Sequence, residues 1–211
     1  MRELDIDRWN RKEQFHFFKQ FDDPYFAVTV DLDVTNALDY SKKHHFSFFT
    51  LYLHACMKAI NSVENFKYRI HDEKVIIHDV IHASATILRE NNTFGCSFIN
   101  YDDDFKQFNK NFEAEKERIL TTTNLFPEQN TDDCIYCSAM TWFNFSGHKE
   151  PLFGVKKESV PKLAFGKYVE KNGKLMMPVA IAVNHALVDG YHVGLFIEAF
   201  QKALDFEDKL K

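Results

Sequence analysis

Between Pro178 and Phe200 the pattern of apolar and polar positions changes period, which predicts a strand feeding a helix. Val179 to Val183 is an uncharged apolar run, as in a strand buried on both faces. From Asp189, placed as an N-cap, apolar positions recur at helical spacing: Val193, Phe196, Ala199 or Phe200, and Leu204. Upstream, Trp9 to Phe18 reads as a short helix with its aromatics inward, and Tyr25 to Asp33 as a strand alternating Phe26, Val28, Val30 and Leu32. Ser47 to Val63 carries Phe48, Phe49, Tyr52, Leu53, Cys56, Ile60 and Val63 at helical spacing, with Ser47 as N-cap. Tyr68 to Ile70 and Val75 to Ile77 flank His-Asp-Glu-Lys, which suits a hairpin. Ser84 to Leu88 and Thr93 to Asn100 read as strands. Asp102, Asp103 and Asp104 open a helix that should run to about Thr122, burying Phe105, Phe108, Phe112 and Ile119. Cys134 to Phe145 is strand-like, and Lys157 to Pro161 a loop. Leu163 to Val169 and Leu175 to Val183 are joined by Glu-Lys-Asn-Gly-Lys, a hairpin signal because Asn-Gly tolerates positive φ.

Strands and helices alternate irregularly, so the expected fold is α/β of the α+β type. A mixed β-sheet covered by helices, a two-layer sandwich, is favoured over a doubly wound parallel sheet. The 211 residues fit one domain over the whole chain, with roughly 70% of the unfolded surface buried. The 22 phenylalanines are unusually many and imply an aromatic core or pocket. A net charge of -5 without a basic stripe argues against nucleic acid as partner. The charged N-terminus is no secretory signal and no apolar run approaches membrane-spanning length, so a cytoplasmic protein is expected.

The candidate chemistry starts at His185. The predicted strand fixes its backbone while the loop leaves the imidazole edge reachable, at the one side chain that titrates near neutral pH. The bland alternative is a strand-end histidine followed by an Asp-Gly turn. Cys134 and Cys137 form a Cys-x-x-Cys, but in a strand positions i and i+3 face opposite sides, and no second pair completes a zinc site. His78 and His82 are spaced like helical ligands in a region that reads as strand and turn, so packed or solvated histidines, and no metal, are expected. A Ser-His-Asp triad is weak: Asp189 lies only four residues past His185, and no Gly-x-Ser-x-Gly elbow surrounds Ser138.

Three separated stretches resemble the chloramphenicol acetyltransferase family. Asn184-His185-Ala186-Leu187-Val188-Asp189-Gly190-Tyr191-His192 is similar to that family's His-His-Ala-x-x-Asp-Gly-Phe-His active-site run. Trp9-Asn10-Arg11-Lys12-Glu13-Gln14-Phe15 resembles its opening Trp-x-Arg-Lys-Glu-His-Phe, and Ser138-Ala139-Met140-Thr141-Trp142 its Ser-Ala-x-Pro-Trp, with Thr141 in place of proline. The resemblance covers nearly the full length, from Trp9 to Leu204. It implies a homotrimer with active sites between subunits and direct acetyl transfer from acetyl-CoA to a hydroxyl acceptor, chloramphenicol foremost. His185 would be the general base and Ser138 the donor to the oxyanion, while Arg11 pairs with Asp189 to hold the histidine loop. Phe17, Phe18, Phe94, Phe126 and Ala164 fall on acceptor positions, and Trp142, Lys167 and Tyr168 on the CoA side. From spacing alone Arg11 would be a solvated charge, and for each aromatic plain core is as good a reading as a pocket.

Departures from the family bear on the acceptor. Phe18 replaces a tyrosine and Ala164 a threonine that positions water. His148 and Glu150 stand where a chloramphenicol pocket is apolar, so either they point away or the acceptor is more polar. Asn184 replaces the first histidine of the pair and is expected to matter less. Two rival readings are another acyltransferase sharing His-x-x-x-Asp-Gly, such as a dihydrolipoamide acyltransferase or peptide-synthetase condensation domain, and a trimeric binding protein without turnover.

Overall fold

The computed structural model describes residues 1–151 and 158–206. Chain order is β1 (Arg2–Glu3), α1 (Lys12–Phe18), β2 (Tyr25–Asp33), α2 (Thr35–His44), α3 (Phe48–Ser62), β3 (Tyr68–His71) and β4 (Lys74–Ile77). There follow β5 (His82–Leu88), β6 (Phe94–Cys96), α4 (Phe105–Thr121), β7 (Cys134–Met140), β8 (Lys162–Gly166), β9 (Val169–Lys171), β10 (Lys174–Asn184) and α5 (Gly190–Leu204).

The main sheet is seven-stranded, in the order β2-β10-β8-β7-β5-β6, with β9 also paired to β10. Pairing of β7 with β5 and with β8 is parallel, and the other pairs in this sheet are antiparallel. A mixed sheet results, as expected from the irregular alternation. Its alternate residues Ile135, Cys137, Leu163, Phe165, Val179, Ile181 and Val183 share one buried cluster with α-helical residues such as Phe15, Ala37, Met57, Phe112 and Phe196. Helices therefore cover one face of the sheet. The other alternation, including Tyr136, Ser138, Lys162, Ala164, Ala180 and Ala182, points away from them. A smaller sheet, β1-β4-β3, carries the hairpin predicted around His-Asp-Glu-Lys.

Local chemistry explains several element ends. The Ser47 hydroxyl accepts from the Thr50 N–H at the start of α3, and Asp104 caps α4 through the Lys106 N–H. Asn172 and Gly173, at φ 53° and 77°, make the tight β9–β10 turn. Three sequence expectations need correction. α2 was not anticipated, because its buried face is only Ala37, Leu38 and Ser41. The strand expected over Leu163 to Val169 breaks at Lys167 and Tyr168 into β8 and β9, and the run from Cys134 leaves the sheet after Met140. Of the loop expected from Lys157 to Pro161, Lys157 lies outside the described residues.

Gly166 ends β8 under Pro178 and the Phe145 ring, where an added Cβ would lie 2.6 and 2.8 Å from their atoms. Gly166→Ala is expected to lower the unfolding free energy by about 1–3 kcal/mol, read as a reduced urea midpoint.

Candidate active site

β10 delivers the chain to His185 and the backbone turns there at once. The His185 N–H donates to the Pro24 carbonyl at 2.8 Å, and the Leu187 and Val188 N–H groups both donate to the Asn184 carbonyl at 3.0 Å. Asn184 is buried and works in both directions. Its Oδ1 accepts from the Ala186 N–H at 2.9 Å and its Nδ2 donates to the Glu158 carbonyl at 3.1 Å. The side chain set aside from sequence thus shapes the loop directly. Asn65 adds a bond from Nδ2 to the Leu187 carbonyl at 2.9 Å.

Arg11 closes the loop from the other side. Its buried guanidinium grips the Asp189 carboxylate bidentately, Nε to Oδ2 at 2.8 Å and Nη2 to Oδ1 at 2.5 Å. The same group donates to the carbonyls of Ala186 and His185 at 3.1 Å, and it lies over the Trp9 ring, 5.3 Å from its centroid. Burial works against the ionised Asp189 carboxylate, but the bonds and charge of Arg11 outweigh it and hold the carboxyl below its ordinary value of 3.8. Asp189 also occupies the N-cap position of α5, where its N–H donates to His192 Nδ1 at 3.0 Å. Burial, reinforced by the Arg11 charge, pushes the His192 pKa down and favours its neutral, accepting form.

The His185 ring stacks on Phe18, with centroids 3.8 Å apart and planes at 5°, and Phe26 packs against it at 4.6 Å. Nδ1 is buried 3.1 Å from Asp189 Oδ1, whereas Nε2 makes no hydrogen bond among the described residues and is not buried. The side chain keeps 32% of its exposure. A fixed ring with one nitrogen facing out can exchange a proton with a bound hydroxyl.

The other expected site residues fall into separate groups. Phe17 and Phe18 lie on α1 beside His185, with Phe17 exposed. Ser138 stands on β7 opposite Ala164, which stands opposite Ala180 on β10. His185 lies two strands away and five residues further along, so its Cα is roughly 19 Å from that of Ser138. No rotamer of either side chain spans that gap within one chain. Phe94 on β6 and Phe126, next to it through the bond from the Cys96 N–H to the Leu125 carbonyl, are exposed at the far edge of the sheet. Trp142 is exposed just beyond β7, where the Lys167 N–H donates to the Phe143 carbonyl at 2.9 Å. Tyr168 packs edge-on against Phe48, and both rings lie partly buried against the core.

A cavity of about 250 Å³ is lined by Asp23, Tyr25, Phe26, Ala27, His148, Glu150 and Lys162, among others. Phe26 is common to this cavity and to the His185 stack. His148 Nε2 lies 2.9 Å from Glu150 Oε1, and Lys162 pairs with Glu158 at 3.0 Å. The cysteine pair is inert: Cys137 belongs to the main core and Cys134 to a separate small cluster, and burial pushes the Cys134 thiol up to about 12. His82 is packed, accepting at Nδ1 from the Tyr101 N–H at 2.9 Å.

The sequence profile of the chloramphenicol acetyltransferase family matches residues 1–201. The chain belongs to the chloramphenicol acetyltransferase family. By that membership it is an acyltransferase. A chloramphenicol acetyltransferase of Klebsiella sp is 29% identical over 96% of this chain and 93% of its own length, and one of Proteus mirabilis is 27% identical over 96% and 94%. A solved chloramphenicol acetyltransferase superposes with a TM-score of 0.86 at 27% identity, covering 97% of this chain and 100% of its own. A probable dihydrolipoamide acetyltransferase from Listeria monocytogenes shares the fold, with a TM-score of 0.67 at 14% identity. Among the described residues, no helix is long and apolar enough to cross a membrane.

Arg11→Ala, which leaves the Asp189 carboxylate and two carbonyls without their donor, is expected to destabilise the protein by about 3–5 kcal/mol in urea unfolding at pH 7. The pair also predicts a pH signature. A carboxyl held below 3.8 in the folded state contributes stability above that pH, and the contribution is lost as pH falls through the lower folded value. The gap in unfolding free energy between the native protein and Asp189→Asn should therefore be full at pH 7 and shrink progressively below about pH 4.

Proposed function

We propose that the protein is a cytoplasmic, acetyl-CoA-dependent O-acetyltransferase, a single domain working as a homotrimer, with His185 as general base. His185 Nε2 takes the proton of an acceptor hydroxyl as the oxygen attacks the thioester carbonyl. The Ser138 hydroxyl donates to the oxyanion that forms. Collapse breaks the carbon–sulfur bond, and the CoA thiolate recovers its proton from the imidazolium. Arg11 and Asp189 hold the loop and do not touch the reacting atoms. Trp142 and Lys167, exposed beyond β7 and β8, are on the CoA side, with Tyr168 behind them. Phe17 and Phe18 of one copy and Phe94, Phe126 and Ala164 of the next border the acceptor.

The carrying observation is that His185 lies two strands and five residues away from Ser138 in one chain, roughly 19 Å at ordinary sheet spacings, while each is fixed on a strand or strand end. Direct transfer with these two groups requires His185 of one copy to face Ser138 of another, and the exposed aromatics Phe17, Phe94 and Phe126 supply apolar surface for that contact.

Chloramphenicol, named in the descriptions of the relatives, is the first acceptor to assay. The half-buried His148–Glu150 pair in the cavity beside Phe26 favours a second reading, a more polar hydroxyl compound.

His185→Ala is expected to slow thiol release from acetyl-CoA by about 10²- to 10⁴-fold, and Ser138→Ala by about 10²- to 10³-fold. Refolding the two inactive variants together in equal amounts should restore activity, because about one quarter of the interfaces then combine an intact His185 with an intact Ser138. Mixtures as inactive as their components would reject the shared site. His148→Phe with Glu150→Leu should raise kcat/KM for chloramphenicol at least tenfold. A native protein that releases no thiol with any hydroxyl compound tried would point instead to a binding protein.

A further inference from the structure

Arg69 is fully buried on β3 and meets main-chain carbonyls on all sides. Its Nη1 donates to Phe66 and Tyr68, its Nη2 to Cys134 at 2.5 Å, and its Nε to the Asp132 carbonyl at 2.6 Å. This clamp fastens the segment before β7 across the β3–β4 hairpin. The Asp132 carboxylate is thereby held between the two ends of the hairpin, where two imidazoles meet it. His71, at the tip end of β3, has Nε2 2.6 Å from Asp132 Oδ2. His78, just past β4, has Nε2 3.4 Å from Asp132 Oδ1.

His78 is the unusual member. Its side chain is only 10% exposed, its N–H is tied to the Lys67 carbonyl at 3.1 Å, and its Nε2 is buried without a hydrogen bond. A buried imidazole nitrogen that lies 3.4 Å from a carboxylate without making a hydrogen bond to it is poorly satisfied unless something sits between them. The three ligand atoms all lie within 4.8 Å of one another, the only such group among the described residues. We propose that His71, His78 and Asp132 bind a divalent transition-metal ion, Zn²⁺ being the first candidate.

The donor set suits that choice. Two imidazoles and one carboxylate are borderline ligands that favour Zn²⁺ over Mg²⁺ or Ca²⁺. Tetrahedral zinc with bonds of about 2.0–2.1 Å places its ligand atoms about 3.4 Å apart, the spacing already present between His78 and Asp132. The tighter His71 contact would have to open by somewhat under 1 Å. His71 is 47% exposed near a two-residue hairpin tip, so it can swing outward and leave a path for the ion and a fourth, solvent position. Arg69 acts on the carbonyl side of Asp132 as a positioning residue, in the manner of the outer partners that orient metal ligands. The proposal departs from the expectation from sequence of no metal, and the ion would tie the small sheet to the start of β7.

The test uses the full-length protein stripped with a chelator. Zn²⁺ competition against a chromophoric chelator should show one ion per chain, and Co²⁺ should give visible d–d bands. A hundredfold excess of Zn²⁺ over its Kd should raise the melting temperature by about 5–10 °C. His71→Ala should weaken uptake at least tenfold and His78→Phe should abolish it, while His45→Asn, an exposed histidine elsewhere, leaves it unchanged. His71 is solvent-facing, so its variant decides the matter even where His78→Phe does not fold. No uptake by the native protein, or uptake equal in native and His71→Ala protein, overturns the proposal and leaves a His–Asp hydrogen bond in its place.

Discussion

One buried guanidinium organises the loop that carries His185. Arg11 satisfies the carboxylate of Asp189 and two carbonyls of the intervening turn with a single planar group. A lysine could not do this, because an ammonium lacks the rigid fork that reaches a carboxylate and backbone oxygens together. The imidazole of His185 is left with little freedom: strand β10 sets its backbone, Asn184 sets the first turn after it, and Phe18 and Phe26 hold the ring plane. Such over-determination suits a group whose task is to be in one place when a proton must move.

The pleat of the sheet distributes everything else. Because side chains alternate along each strand, the same strands that bury Cys137, Leu163 and Ile181 under the helices must present Ser138, Ala164 and Ala180 on the opposite face. Parallel pairing of β7 with both neighbours carries that face past Ser138 to the exposed Trp142. The molecule therefore sets His185 and Ser138 on surfaces that cannot fold onto each other.

Much of the fold was legible because the elements declare their period. α3 is apolar with a serine cap, β2 alternates, and Asn172-Gly173 can hardly be anything but a turn. α2 was illegible because an alanine, a leucine and a serine make too thin a stripe to register as a face. The site was readable differently. His185 could be singled out from its place at a strand end, whereas Arg11 and Phe18 could be named only through the family resemblance, since spacing alone leaves Arg11 a solvated charge and does not bring Phe18 to the imidazole. Asn184 was undervalued because its work is done through backbone bonds that no spacing rule records. His71, His78 and Asp132 escaped for a similar reason: a hairpin and a distant loop bring them together, and no linear motif marks the group.

The Arg11 and Asp189 side chains that grip each other are separated by 178 positions in the chain. During synthesis the arginine must wait, uncommitted, until the 178 positions that separate it from its partner have followed. A nascent or truncated chain can hold most of the helical layer and still lack an ordered histidine loop. The histidine loop is therefore ordered only in molecules in which these two distant segments have found each other.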